Sequence, residues 1–343
     1  MKILVTGSEG YLGSLVAPVL MRQGHEVTGL DTGFYRDGLL YHENQDLPRT
    51  LIRDIRKLKP DDLRGFDAIA HLAELSNDPI GELQPDITYE INHKGTIRLA
   101  EAAKAAGVKR FIYMSSCSVY GVAEGDDVNE ESPTNPQTAY AICKTLCERD
   151  LQPLVDDNFT ACYFRNATAF GASPRQRFDI VLNNLCGIAA TTGKIAMISD
   201  GSPWRPLVHG LDIAKAIACA VDAPREAVHN EIFNIGSNAQ NYQVRDIAEK
   251  VGEVFTDCDV TFGEQSADNR SYRVNFDKVR KHLPDFECDW DADKGVRQFH
   301  QLFQEIGFDS SQFENRAFTR LKQLQHLIAT SQIDDQFFWN VGI

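Results

Sequence analysis

Short, unbroken apolar runs alternate with longer stretches of helical spacing through the first half of the chain. Ile3–Val5, Glu26–Leu30, Leu51–Arg53, Ala68–Leu72, Arg110–Met114 and Ala161–Phe164 read as strands, with Leu12–Gln23 and Ile91–Ala106 as helices among them. Strands that are apolar on both faces and alternate with helices belong to a parallel sheet covered on both sides. The expected fold class is therefore α/β, a doubly wound parallel sheet of the Rossmann type. Ligands of such sheets bind where the strands end, and Gly7, Asp31, Asp54, Ala73, Ser116 and Asn166 each follow closely on a strand.

After Gly171 the alternation gives way to segments prominent in Pro, Arg and Asn, and Asp212–Val221 with Glu231–Ile235 reads as a return to the sheet. Beyond Tyr242 the pattern is mostly helical and polar, with a short strand near Val260. The expected division is a Rossmann domain of 1–171 plus about 205–236 and a smaller, discontinuous substrate domain of about 172–204 plus 237–343.

Composition narrows the function. A formal net charge of −14 argues against a general nucleic-acid binder, which needs basic surface. No run approaches the ~20 apolar residues that span a bilayer, so no membrane partner is expected. The first strand opens at Lys2, which is expected to leave no room for a signal peptide. Eight cysteines without a Cys-x-x-Cys pair suggest reduced, mostly buried thiols in a cytoplasmic protein.

Gly7-x-x-Gly10-x-x-Gly13 leaves the first strand and enters a helix at Tyr11 and Leu12. Such glycines permit a tight turn, close approach of a pyrophosphate and tight helix–strand packing, while the helix start offers amide donors to phosphates. Asp31, ending the second strand, is placed to accept from both ribose hydroxyls and to repel a 2′-phosphate, so NAD is expected over NADP. Asp54 and Ile55, after the third strand, suit the adenine. Tyr140 and Lys144 stand four apart on one helix face. An ammonium beside a phenol favours phenolate, and so a base for an alcohol proton. Ser116, just beyond the fifth strand, can hold the reacting oxygen.

These residues, with His71-Leu72-Ala73, Tyr120-Gly121, Arg165-Asn166, Asn183-Asn184 and Arg205…His209…Asp212, resemble the extended short-chain dehydrogenase/reductase family, in its nucleotide-sugar epimerase/dehydratase branch. The resemblance implies that Leu72, Ala73, Tyr140 and Lys144 also line the cofactor. It implies that Asn166, Asn184, Arg205 and Arg270 hold the sugar and diphosphate, and that the chain forms a homodimer. Dehydratases of the branch carry Asp-Glu after the serine and decarboxylases keep the glutamate, whereas this chain has Cys117 and Ser118. What remains is an NAD-dependent 4-epimerase working through a transient 4-keto sugar. A nucleotide-sugar oxidoreductase or decarboxylase, or a non-catalytic NAD-binding regulator, is the alternative. Cys117 is a candidate acid/base or a packing residue. Glu74 departs from the family's alanine and is expected to bind the sugar, supply a carboxylate or face solvent.

Overall fold

The structure, a computed structural model, describes residues 1–42, 47–76, 78–122, 127–264 and 271–340, and only the backbone of Ile80 and Leu83. At its centre lie seven strands: β1 (Lys2–Thr6), β2 (Glu26–Asp31), β3 (Arg49–Ile52), β4 (Ala68–His71), β5 (Arg110–Ser116), β6 (Thr160–Asn166) and β7 (Glu231–Ile235). Their order is β3-β2-β1-β4-β5-β6-β7, and each neighbouring pair is parallel. The chain steps outward from β1 to β3, then crosses back to β4. That reversal opens a cleft between β1 and β4 at the carboxyl ends of the strands.

The longer helices are α1 (Gly13–Arg22), α2 (Thr96–Ala106), α3 (Ala139–Leu151), α4 (Val181–Thr192), α5 (Gly210–Asp222), α6 (Val244–Val254), α7 (Ala292–Ile306) and α8 (Arg320–Ala329). Because strand side chains alternate, Ile3, Val5, Ala70, Ile112 and Phe164 pack on one face with Val16 and Leu20 of α1 and Ile213 and Ile217 of α5. Leu4, Ile69, Phe111 and Tyr163 pack on the other with Leu99 and Ala103 of α2 and Leu151 of α3. The apolar strand runs are thus explained by burial on both faces. The helix expected over 91–106 is α-helical only from Thr96, and Tyr89–Gly95 forms a π-helical stretch before it. Asn92 in that stretch binds the backbone of Leu75 at 2.8 Å (N–H donor) and 2.9 Å (carbonyl acceptor). It thereby fixes the loop that leaves β4.

In the second half, α4, α6 and α7 bury Leu182, Cys186, Ile247, Val251, Val296 and Phe299 around Phe178. Thr168–Phe170, Trp204–His209 and Asn241–Gln243 form a three-stranded sheet beside them. The tail behaves differently from its sequence grouping. Leu324 and Leu327 of α8, with Ile333 and Phe337 beyond it, pack on Phe34, Leu75, Ile87 and Ile91 of the first half. No helix among the described residues is long and apolar enough to cross a membrane.

Candidate active site

A cavity of about 440 Å³ occupies the cleft, and Gly7, Gly10, Tyr11, Leu12, Gly13, Asp31, Asp54, Ile55, Leu72 and Ala73 line it. At the first turn, Gly7 adopts φ +74°, a left-handed conformation that favours glycine, and a Cβ there would meet Ala73 N at 2.9 Å. A Cβ on Gly13 would stand 2.0 Å from Gly7 O, so α1 can approach the turn only without one. The amides of Tyr11, Leu12 and Gly13 head the helix, where the first donors have no intrahelical partner. Tyr11 OH donates to Gly171 O at 2.8 Å and ties this turn to the second half.

Asp31 accepts from Glu9 N–H at 3.0 Å and Gly33 N–H at 2.8 Å, and burial pushes its carboxyl up despite these bonds. Each oxygen keeps a lone pair for a ribose hydroxyl. Arg36, the nearby cation that could serve a 2′-phosphate, is instead paired with Glu9 at 2.7 Å. Asp54 accepts from Arg56 N–H at 2.8 Å and pairs with its guanidinium at 2.6 Å. Two buried oxygens in the lining, Ser118 Oγ and Asn166 Oδ1, have no hydrogen-bond partner among the described residues. Unpaired buried polar atoms are costly, and they recur at functional sites. The glycine cradle, the amides at the helix start and the Asp31 carboxylate fit NAD.

At the other end stand Ser116, Tyr140 and Lys144. Thr138 caps α3 by accepting from Ala141 N–H at 3.2 Å and donates to Asp78 at 2.7 Å, which sets Tyr140 in the first turn of the helix. The Ser116 hydroxyl lies within hydrogen-bonding reach of the phenol and, like Lys144, favours phenolate, while burial raises the phenol pKa on balance. Lys144 Nζ stands 5.3 Å from the Tyr140 ring centroid and donates to Met114 O. Glu74 does not face solvent, because its carboxylate is buried in an ion pair with Lys144.

Other expected residues stand apart from this cavity. Cys117 is 2% exposed and donates to Arg165 O at 3.1 Å, and burial pushes its thiol far up. It sits behind the turn that presents Ser116 and does not line the cavity. Asn184, early in α4, donates its amide to Phe178 O at 2.9 Å. Arg205, on the strand Trp204–His209, donates to Trp204 O at 2.8 Å. Neither belongs to the lining, and Arg270 lies outside the described residues. His209 is buried and stacks on Trp290 with centroids 4.2 Å apart.

Conversely, the cavity includes residues that the sequence reading missed. Arg177 pairs with Asp179 at 2.8 Å and donates to Ser76 Oγ at 3.1 Å. Arg320 of α8 lies over the Tyr35 ring at 4.0 Å, and burial beside Arg177 pulls its guanidinium down to about 10. The alternation of Arg177 and Asp179 with Phe178 and Ile180 is a signal for a partly buried ion pair. Nothing in the sequence brings Arg320 here, since its approach depends on how the tail folds back.

The family model for "NAD dependent epimerase/dehydratase family" matches residues 3–236. A UDP-glucose 4-epimerase of Streptomyces lividans is 36% identical over 283 residues, which span 74% of this chain and 80% of that protein. A UDP-N-acetyl-alpha-D-glucosaminuronate decarboxylase of Bacillus cytotoxicus is 26% identical over 314 residues, spanning 87% of this chain and 92% of that one. The crystal structure of the dTDP-glucose 4,6-dehydratase of Streptomyces venezuelae, with NAD bound, matches with a TM-score of 0.79. Its identity is 23%, with 91% of this chain and 100% of that chain covered. Similar folds thus serve three reactions, and the choice among them falls to the residues of the cavity.

Proposed function

We propose, for a chain that belongs to the NAD-dependent epimerase/dehydratase family, that it interconverts nucleotide-sugars epimeric at C4. One observation carries this choice of reaction. The carboxylates lining the cavity among the described residues are Asp31, Asp54, Glu74, Asp78 and Asp179. Every one is engaged: by the amides of Glu9 and Gly33, by Arg56, by Lys144, by Thr138 and by Arg177 respectively. Dehydration moves two additional protons, and no uncommitted carboxylate stands here to carry them. Oxidation and re-reduction at one carbinol needs only one acid/base, and Tyr140 can supply it.

Tyr140 takes the hydroxyl proton of the sugar and later returns it, Ser116 holds the same oxygen, and Lys144 orients the phenol. NAD, held by the glycine turn, Asp31, Leu72 and Ala73, would supply the reversible hydride acceptor. Arg177 and Arg320 give one wall of the cavity a cationic character suited to diphosphates. Cys117, buried behind Ser116, serves packing in this reading. UDP-sugars are the first to test, given the relatives. The enzyme should convert UDP-galactose and UDP-glucose, or another C4-epimeric pair, to one equilibrium mixture from either side without net NADH. Stoichiometric NADH formation would instead support a one-way oxidoreductase.

A further inference from the structure

Glu74 leaves β4 directly after Leu72 and Ala73 and turns inward. Its side chain is 3% exposed and that of Lys144 4%. One carboxylate oxygen accepts from Lys144 Nζ, and the other accepts from Tyr113 OH at 2.9 Å. Both oxygens therefore act as acceptors, as an ionised carboxylate does. Asn92 grips the backbone of the next residue, Leu75, through two hydrogen bonds, so the main chain that carries Glu74 is held in place.

The groups around the Lys144 ammonium come from several elements. From β5 come Met114 O and the Tyr113 ring, 4.8 Å from Nζ to its centroid, and from α3 the Tyr140 ring and the thiols of Cys143 and Cys147. From β4 comes His71, which burial and the lysine charge pull down to about 3, so that it is neutral. Around the Tyr140 phenol stand Lys144, Glu74, Asp78 and Ser116, with Arg177 across the cavity already paired to Asp179. Glu74 is the carboxylate that answers the ammonium, and it holds Lys144 charged against a burial that would otherwise neutralise it.

We propose that Glu74 is a positioning residue for the proton-transfer pair, fixing the Lys144 ammonium by a buried ion pair and cancelling part of the positive field that a lone lysine would place on the Tyr140 phenol. The phenol is thereby held in its protonated form to higher pH than an uncompensated lysine would allow. The ion pair also anchors Lys144 beside the ends of β4 and β5, where two of its three donors are committed to Glu74 and Met114 before any ligand binds. This inference rests on the reading of Tyr140 as the base, yet its test needs no substrate, so the two can fail separately.

The test is the ultraviolet absorbance of tyrosinate, followed with pH in the NADH-loaded enzyme, with Tyr140→Phe subtracted to isolate the Tyr140 step. In the wild type that step should lie above the ordinary tyrosine range. In Glu74→Gln it should fall by about one pH unit or more, the size typical of a single charge at close range. Glu74→Asp, which keeps the charge, should stay near the wild type, and the acid limb of the kcat profile should move with the phenol. A step that is unmoved in folded Glu74→Gln overturns the proposal. Should Glu74→Gln fail to fold, Glu74→Ala is titrated in its place, where the same fall is expected and an unmoved step overturns the proposal.

Discussion

Replacing Gly13 by alanine puts one methyl group into the closest backbone approach of the site. Its Cβ would stand 2.0 Å from Gly7 O, 2.7 Å from Ser8 Cα and 2.8 Å from Gly7 C. All three are backbone atoms, so no flexible side chain can yield. Carbon and oxygen in comfortable contact sit about 3.3 Å apart, so α1 and the turn must separate by roughly 1 Å. The helix resists such a shift, because Leu15, Val16, Ala17 and Leu20 bury it against the sheet. Overpacking of this kind costs about 1–3 kcal/mol of stability. Such a shift takes the turn amides out of hydrogen-bonding range of a pyrophosphate, and a bond to a charged group is worth about 1.5–3 kcal/mol, on the order of ten- to a hundredfold in affinity. Gly13→Ala should therefore weaken NAD binding about ten- to a hundredfold by titration calorimetry, while circular dichroism shows a folded protein. Gly24→Ala is the control. At φ +86° with nothing within 4 Å of its Cβ, it should cost about 1–2 kcal/mol for left-handed backbone and leave NAD affinity unchanged. Affinity for NAD that stays within a few-fold in Gly13→Ala would refute the glycine cradle as the pyrophosphate site.

Tyr140→Phe keeps the ring and removes the phenol; kcat should fall by about 10²–10⁴ with NAD binding intact, and an unchanged kcat would move the chemistry elsewhere. Asp31→Ala should weaken NAD and narrow its advantage over NADP in competitive titrations, whereas tighter NADP binding by the wild type would contradict the assignment. His209 is held at about 4, below its usual 6.5, chiefly by burial, so the unfolded chain takes up its proton first as pH falls. Its contribution is complete above about pH 6.5 and is lost on the way down to about pH 4, at roughly 1.4 kcal/mol per pH unit. In urea titrations the stability advantage of wild type over His209→Gln should shrink by about 2 kcal/mol between neutral pH and about pH 5; a constant difference would show that His209 does not carry it.

The inner strands were legible because burial on both faces leaves unbroken apolar runs, whereas the edge strand β3 holds no buried residue, and the glycine turn was legible because only glycine fits there. That Tyr140, Lys144 and Ser116 line one cavity follows the helical period and the strand end, both visible in the sequence. Glu74 was visible as a departure but not in its role, since the inward turn depends on Asn92 gripping Leu75 from a π-helical stretch that periodicity reads as ordinary helix. Arg320 was invisible for a different reason. It reaches the cavity through packing of the tail on Phe34 and Ile91, contacts between residues far apart in sequence that no local pattern encodes. Cys117 shows the converse, because its reactivity is decided by burial behind the turn rather than by its place beside Ser116.

The central claim is that the chemistry is confined to one carbinol, with Tyr140 as its acid/base and Cys117 outside it. A nucleotide-sugar substrate deuterated at C4 in ordinary water, and the unlabelled sugar in D₂O, test this directly by NMR of the product. We predict that deuterium stays on C4 through epimerisation and that no solvent deuterium enters C3 or C5, with the same outcome in Cys117→Ala. Washout from C4, or solvent deuterium at C3 or C5 that disappears in Cys117→Ala, would contradict it.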